Sequence, residues 1–338
     1  MSERTHTADL LKGIAALLMI QVHIIELFAT KTIFESDAGK LLLFLGGPPV
    51  APVFLALLGY FIASSNKSTN QQITRGVKII ALGLALNVAL NFNLILSVLK
   101  GNYTTDLMPY IFGVDVLPHA GLSLILIALL PKIIKQNPFA LIALAMAVVF
   151  SGELLMHYSS QSKVYTHVFA FVYGTGKWSY FPLLPWFAYS LAGMAFYNIT
   201  QRYDFSILNG VGAKVLLIVL FGLFMTLSFP YAVSIASNLQ EYYHHGMLFF
   251  AWTIAFLVLY SLLVNTIAPV IQHNFIVTYL QWLGKNITAI YVVQWILIGN
   301  TATEIYQSIS SPFTLLVSFV WIAAVSSLLV YAWGRFRG

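Results

Sequence analysis

The stretch DLLKGIAALLMIQVHIIELF, residues 9–28, decides how the whole chain is read. As a helix it is long enough to cross a hydrocarbon core of about 30 Å, yet it holds Lys12 and His23. The eleven residues from one to the other, at 1.5 Å each, separate them by roughly 16 Å, and eleven steps of about 100° bring the second side chain back to within about 20° of the first. One face therefore carries a cation near one membrane surface and an imidazole more than half a bilayer away. An ionisable side chain in a span is costly in hydrocarbon and by default faces the bundle interior or a water-filled cavity.

The rest of the chain agrees with a membrane setting. Of its 338 residues 59% are hydrophobic and 8% charged, against about 25% charged in soluble domains. Ten apolar stretches, at 9–30, 41–64, 77–99, 116–134, 138–157, 182–199, 208–228, 246–265, 284–299 and 312–333, predict an all-α polytopic membrane protein with about ten transmembrane helices. No repeat, low-complexity tract or appended soluble domain stands out, so residues 1–338 read as a single transmembrane domain. Asp9 and Lys12 inside the first stretch, with no A-x-A site after it, argue against a cleaved signal peptide. There is no cysteine, which excludes disulfides, thiolate metal sites and a cysteine nucleophile. The net charge of +6 is scattered rather than clustered, which argues against nucleic acid. Instead it follows topology. With the N-terminus inside, twelve lysines and arginines, Arg4 and Arg337 among them, fall on inner segments, against five on outer ones, Lys177 among them. The positive-inside rule then puts both termini in the cytoplasm, with His23 towards the outer half of its helix.

Within this frame several residues carry chemistry. Glu26 follows His23 by three positions, within reach on a helix surface. A carboxylate beside an imidazole holds its tautomer and stabilises the imidazolium, as a general base requires; the alternative is a buried histidine bonded to a neighbouring carbonyl. The run GGPPVAPVFLALLGYF (46–61) begins with glycines and prolines, which predicts a broken start to its helix, tolerated where protein or a cavity surrounds it. Asn87 and Asn91 form an i, i+4 polar stripe of the kind that joins helices. GVDVLPHAGLSL (113–124) places Asp115 and His119 one turn apart at the outer interface. Glu153 and His157 repeat that spacing as a solvated pair. EYYHHGM (241–247) reads as an outer loop, and its tyrosines, like most of the aromatic residues, as part of an interfacial belt. No HExxH or similar metal spacing is present. Lys12, Arg75, Lys78 and Lys285 sit at inner helix starts, as ordinary anchors or, collectively, as receivers of nucleotide phosphates. No GxxxxGK[ST] or GxGxxG competes for that role, so an ATP-driven pump is unsupported.

DLLKGIAALLMIQVH resembles the opening of the heparan-α-glucosaminide N-acetyltransferase family, whose members begin with an Asp, a basic-Gly pair and a Met-x-x-x-His run. GGPPVAPVFLALLGYFIA (46–63), RGVKIIALGLALNVAL (75–90), DVLPHAGLSLILIALL (115–130), FPLLPWFAYSLAGMAFY (181–197) and LGKNITAIYVVQWILI (283–298) follow in the family's order. The basic-x10-His signature is also similar to that of the membrane-bound sugar O-acyltransferases. The resemblance implies transfer of an acetyl (acyl) group from cytoplasmic acyl-CoA to an amine or hydroxyl of a sugar or glycan on the far side. It places His23 on the family's catalytic histidine, Lys12 on the basic member of its signature and Lys285 on the basic position of the Leu-Gly-Lys segment. Two positions depart from the family: Gln294 stands where a histidine is common, and His119 is displaced by one.

Residues and resemblance together give the expected site. His23 acts as base or acyl carrier, supported by Glu26 or Asp115; Lys12, Arg75 and Lys285 hold the CoA phosphates; Asn91, His119 and Trp186 line the acceptor site, with no metal. The setting is the bilayer of a bacterial plasma membrane, and a homodimer is compatible with the composition. A transporter or flippase of a small molecule or lipid-linked sugar, without covalent chemistry, is the competing class. It accounts for the broken helix but not for the Lys12–His23 register.

Overall fold

The protein, seen in a computed structural model, is described over residues 6–156, 158, 163–174, 176, 178–271 and 274–336. Arg4, His157, Lys177 and Arg337, invoked above, lie outside them. Thirteen helices build the part that positions the site: α1 His6–Phe28, α2 Asp37–Gly46, α3 Ala51–Ala63, α4 Thr69–Leu90, α5 Val116–Leu129, α6 Pro138–Leu155, α7 Leu183–Arg202, α8 Val211–Ala236, α9 Leu239–Tyr243, α10 Met247–Ile271, α11 Phe275–Lys285, α12 Ile287–Ile305 and α13 Pro312–Phe336. Five shorter helices, one 3-10 turn and two isolated bridges, with no β-strand, complete the described secondary structure.

Local sequence sets the helix starts. Ser68 and Gln71 form a reciprocal capping box on α4. Ser36 caps α2 through the Gly39 amide, Asn137 caps α6 just ahead of Pro138, and Asn274 caps α11. Each of the ten apolar stretches coincides with helix, but not each with a full span. Seven segments are long and apolar enough to cross a membrane: α1, Asp37–Ala63, α4, α6, α8, Met247–Ala268 and α13. The stretch 116–134 yields only the 14 residues of α5, because Pro131 forces Leu130 into an extended conformation and ends the helix. The stretches at 182–199 and 284–299 form α7 and α12, which are outside the seven. The run at 46–61 is broken as its prolines require: α2 ends at Gly46, and non-helical Gly47 and Val50 separate it from α3.

Packing rests on small residues where backbones meet. A Cβ at Gly13 of α1 would overlap the Leu280 carbonyl of α11, and one at Gly284 would overlap the Asp9 carbonyl. The same reciprocal arrangement joins Gly59 of α3 to Ser190 and Gly193 of α7 to Ala56, and Gly76 of α4 to Gly121 of α5. Without a hydrophobic drive between helices in lipid, such close approach is what holds a bundle together.

Paired contacts fix direction. His23 of α1 meets Trp295 of α12 while Phe28 meets Ile309 just beyond that helix, and Leu86 of α4 clusters with Tyr291 of α12 while Leu90 abuts Gly299, so α1, α4 and α12 run in parallel. Lys12, Arg75 and Lys285 therefore lie at one end of the bundle and His23 towards the other. At that far end α1 is tied down by main-chain bonds from Gln307 to Leu27 and from Ile309 to Phe28, each 2.9 Å.

Candidate active site

α1 is one unbroken helix from His6 to Phe28, so the sequence register holds and roughly 16 Å separates Lys12 from His23 along its axis. His23 Nδ1 lies 3.3 Å from Glu26 Oε2, with both side chains largely buried. The imidazole rests against the Trp295 indole, ring centroids 4.0 Å apart. Asp115 comes from elsewhere. It caps α5, accepting the Val116 amide at 2.7 Å through one carboxylate oxygen and the Tyr291 hydroxyl at 2.5 Å through the other. A carboxylate at a helix N-terminus is favoured by the helix dipole.

His23, Glu26, Asp115 and Tyr291 share one cleft of about 510 Å³, counting its open mouth. Its remaining walls are Met19 and Val22 of α1, Leu43 to Ala51 around the α2–α3 break, Phe54, Val116, Phe181, Ala236, Leu239, Tyr242 and Tyr243. The described lining thus includes two carboxylates, one imidazole and three tyrosines, of which Tyr291 donates its hydroxyl to Asp115. Burial, with the charges of Glu26 and Asp115 adding to it, pushes the neighbouring Tyr180 up to about 12 and Tyr243 well above the usual phenol range. Both stay protonated, as hydrogen-bond donors.

Three buried donors hold the aromatic wall from behind, each through a main-chain carbonyl. His119 Nδ1 donates to the Phe181 carbonyl at 3.1 Å, which leaves Nε2 to accept from the Ser123 hydroxyl at 3.0 Å. Trp186 Nε1 donates to the Tyr243 carbonyl at 2.8 Å. His245 Nδ1 donates to the Tyr242 carbonyl at 2.7 Å, while its Nε2 accepts from Tyr189 at 2.8 Å. Burial pulls His245 down to about 4, consistent with this neutral tautomer.

These contacts revise the expected acceptor residues. Neither His119 nor Trp186 lines the cleft; both are fully buried behind it. Asn91 is outside it as well, bonded to the Asn87 and Tyr110 carbonyls while Asn87 holds the Ile111 and Gly113 carbonyls, so the pair fastens the segment before Asp115. His244 and His245 lie in the loop between α9 and α10, and both are buried there. Glu153 accepts the Met247 amide at 3.2 Å. Tyr242, Tyr243, Phe181 and Tyr291 were missed by sequence reasoning, and the only signal for the first two was the run EYYHHGM directly before an apolar stretch.

The opposite end of α1 differs. Lys12 pairs with Asp9 at 2.7 Å and lies 5.4 Å from the Phe61 ring centroid. Arg75 and Lys285 are exposed. An apolar groove of about 1440 Å³ runs between α1, α3, α7 and α10, with Thr7, Tyr60, Thr200, Ser261 and Asn265 as its polar lining; Lys12, Arg75 and Lys285 lie outside that lining. Ala15, Met19, Val50, Leu86 and Tyr291 pack as one cluster flanked by Phe54; Met19, Val50, Phe54 and Tyr291 line the cleft, and none of the six lines the groove. Among the described residues no three His, Cys, Asp or Glu side chains group as a metal site.

The fold and cleft define a multi-pass membrane protein with titratable groups gathered at one end of its first helix. The family described as heparan-alpha-glucosaminide N-acetyltransferase, catalytic, matches residues 4–222. The chain belongs to this family of transmembrane acetyltransferases and is a transferase. The matched region contains His23, Glu26 and Asp115, whereas Tyr242, Tyr243, Lys285 and Tyr291 lie beyond it. No curated protein and no solved structure matches the chain.

Proposed function

We propose that the protein moves an acetyl group from cytoplasmic acyl-CoA to an amine or hydroxyl of a sugar on the outer side of a bacterial plasma membrane. Residues 1–338 act as one domain with both termini in the cytoplasm. The observation that carries this reading is the meeting of His23, Glu26 and Asp115 in one cleft, on the helix whose other end bears Lys12. His23 takes the proton of the attacking acceptor, or itself carries the acetyl group between two half-reactions. Glu26 orients the imidazole and stabilises its charged form; Asp115 adds a second negative charge fixed at the α5 N-terminus. At the other end Arg75 and Lys285, exposed, and Lys12, once released from Asp9, receive the CoA phosphates. The pantetheine arm covers the roughly 16 Å between, with Met19 and Phe54 shifting to let it pass.

The test uses purified protein with acetyl-CoA and glucosamine, following free CoA thiol. Turnover is expected in the wild type. His23→Ala should abolish it while the protein stays folded and binds acetyl-CoA. Absence of acetyl-CoA binding in the wild type would favour a transporter; undiminished turnover in the variant would remove His23 from the mechanism.

A further inference from the structure

Acyl transfer through a tetrahedral intermediate places a negative charge on the former carbonyl oxygen, and the cleft residues assigned so far do not meet it. His23 handles a proton, and Glu26 and Asp115 repel an oxyanion. Two groups on the facing wall have the opposite character. The first is the N-terminus of α3, a helix of 13 residues whose N-cap, Val50, supplies no side-chain bond. Its first residue, Ala51, lines the cleft, and among the described residues its amide has no partner. A helix start carries about half a positive charge. The second is Tyr242. Its side chain is 5% exposed and lines the same cleft, yet its hydroxyl is buried with no hydrogen-bond partner. A buried, unsatisfied hydroxyl costs free energy and calls for a reason. The ring sits at the α2–α3 break just ahead of that helix: Cε2, next to the carbon that bears the hydroxyl, lies 3.3 Å from where a Cβ on Gly47, the α2 C-cap, would be. Any larger residue at 47 would push the phenol away.

We infer that the Tyr242 hydroxyl and the Ala51 amide at the α3 N-terminus form the oxyanion site of the transferase. This rests on the acyl-transfer reading above. The acceptor's nitrogen or oxygen bonds to the thioester carbon as His23 takes its proton, and the C=O pair moves onto oxygen, where Tyr242 and Ala51 donate hydrogen bonds to it. The pair then returns, the C–S bond breaks, and the CoA thiolate leaves and takes the proton from His23. Donors fixed in a site of low dielectric act where charge develops and need no reorganisation as the reaction proceeds. The oxygen also gives the Tyr242 hydroxyl the partner it otherwise lacks.

Tyr242→Phe in the full-length protein is the test, with acetyl-CoA and glucosamine as probes. Removing one oxyanion donor should lower kcat about 10²-fold to 10³-fold, with the acetyl-CoA Kd changed less than about twofold because the contact forms only in the transition state. The hydroxyl has no partner at rest, so the variant should melt no lower than the wild type. Full kcat in Tyr242→Phe overturns the site while leaving acyl transfer intact, and so does a collapse of its thermal stability, which would give the hydroxyl a structural partner. A wild type that never releases CoA thiol overturns the transfer reading itself and this site with it.

Discussion

The two ends of α1 are built on different principles. Around His23 the cleft is small and its titratable groups and wall carbonyls are held: Glu26 on the imidazole, Val116 and Tyr291 on Asp115, three buried donors behind the aromatic wall. Towards the Lys12 end the groove is larger and mostly apolar, and the cations at that end are exposed or paired locally, outside its lining. Fixed geometry suits bond-making, where small displacements of reacting groups are costly. A loose apolar groove, with exposed cations at the same end of the bundle but outside its lining, suits a long, flexible ligand with an anionic head. The contrast shows where this chain invests rigidity.

Substitutions at the two ends should therefore separate into effects on kcat and effects on donor binding. The largest loss is expected for His23→Ala, about 10³-fold or more in kcat with acetyl-CoA affinity retained, read by thiol release and by equilibrium binding. Asp115→Asn keeps an oxygen for the Val116 amide but removes the charge; a fall of about tenfold to a hundredfold in kcat is expected, and an unchanged kcat would make Asp115 only a helix cap. Lys285→Ala and Arg75→Ala should instead weaken acetyl-CoA binding a few-fold each with kcat preserved, an effect that shrinks in salt because exposed charges are screened. A kcat effect at Lys285 would dissolve the division of labour.

The smallest expected effect concerns the wall itself. Burial lowers His245 to about 4 from the usual histidine value of about 6.5. Between those values the unfolded chain binds more protons than the folded one, so this contribution is complete above about pH 6.5 and is lost as pH falls towards about 4. The thermal midpoint in detergent should decline over that window, and less steeply in His245→Gln.

What the sequence disclosed follows from how far each interaction reaches along the chain. His23 and Glu26 are three residues apart on one helix, so periodicity alone pairs them. The α2–α3 break is written in Gly47, Pro48 and Pro49, and the α5 stop in Pro131. Tyr291 meets Asp115 across 176 positions, a contact that no local pattern encodes, and Tyr242 looks the same as a membrane-belt tyrosine until packing buries it. His119 and Trp186 stood out for a sound reason, as polar groups in apolar helices. Spacing cannot tell a side chain that lines a cavity from one that grips a carbonyl behind it.

That grip has an evolutionary consequence. His119, Trp186 and His245 hold the carbonyls of Phe181, Tyr243 and Tyr242, and every residue type has a carbonyl. Two of these wall side chains, Phe181 and Tyr243, can be exchanged while the backbone that presents them stays where it is. On the acyl-transfer proposal, acceptor preference would then drift by single substitutions at the wall without disturbing the helices that present His23 and Asp115. The three anchors themselves have no such freedom.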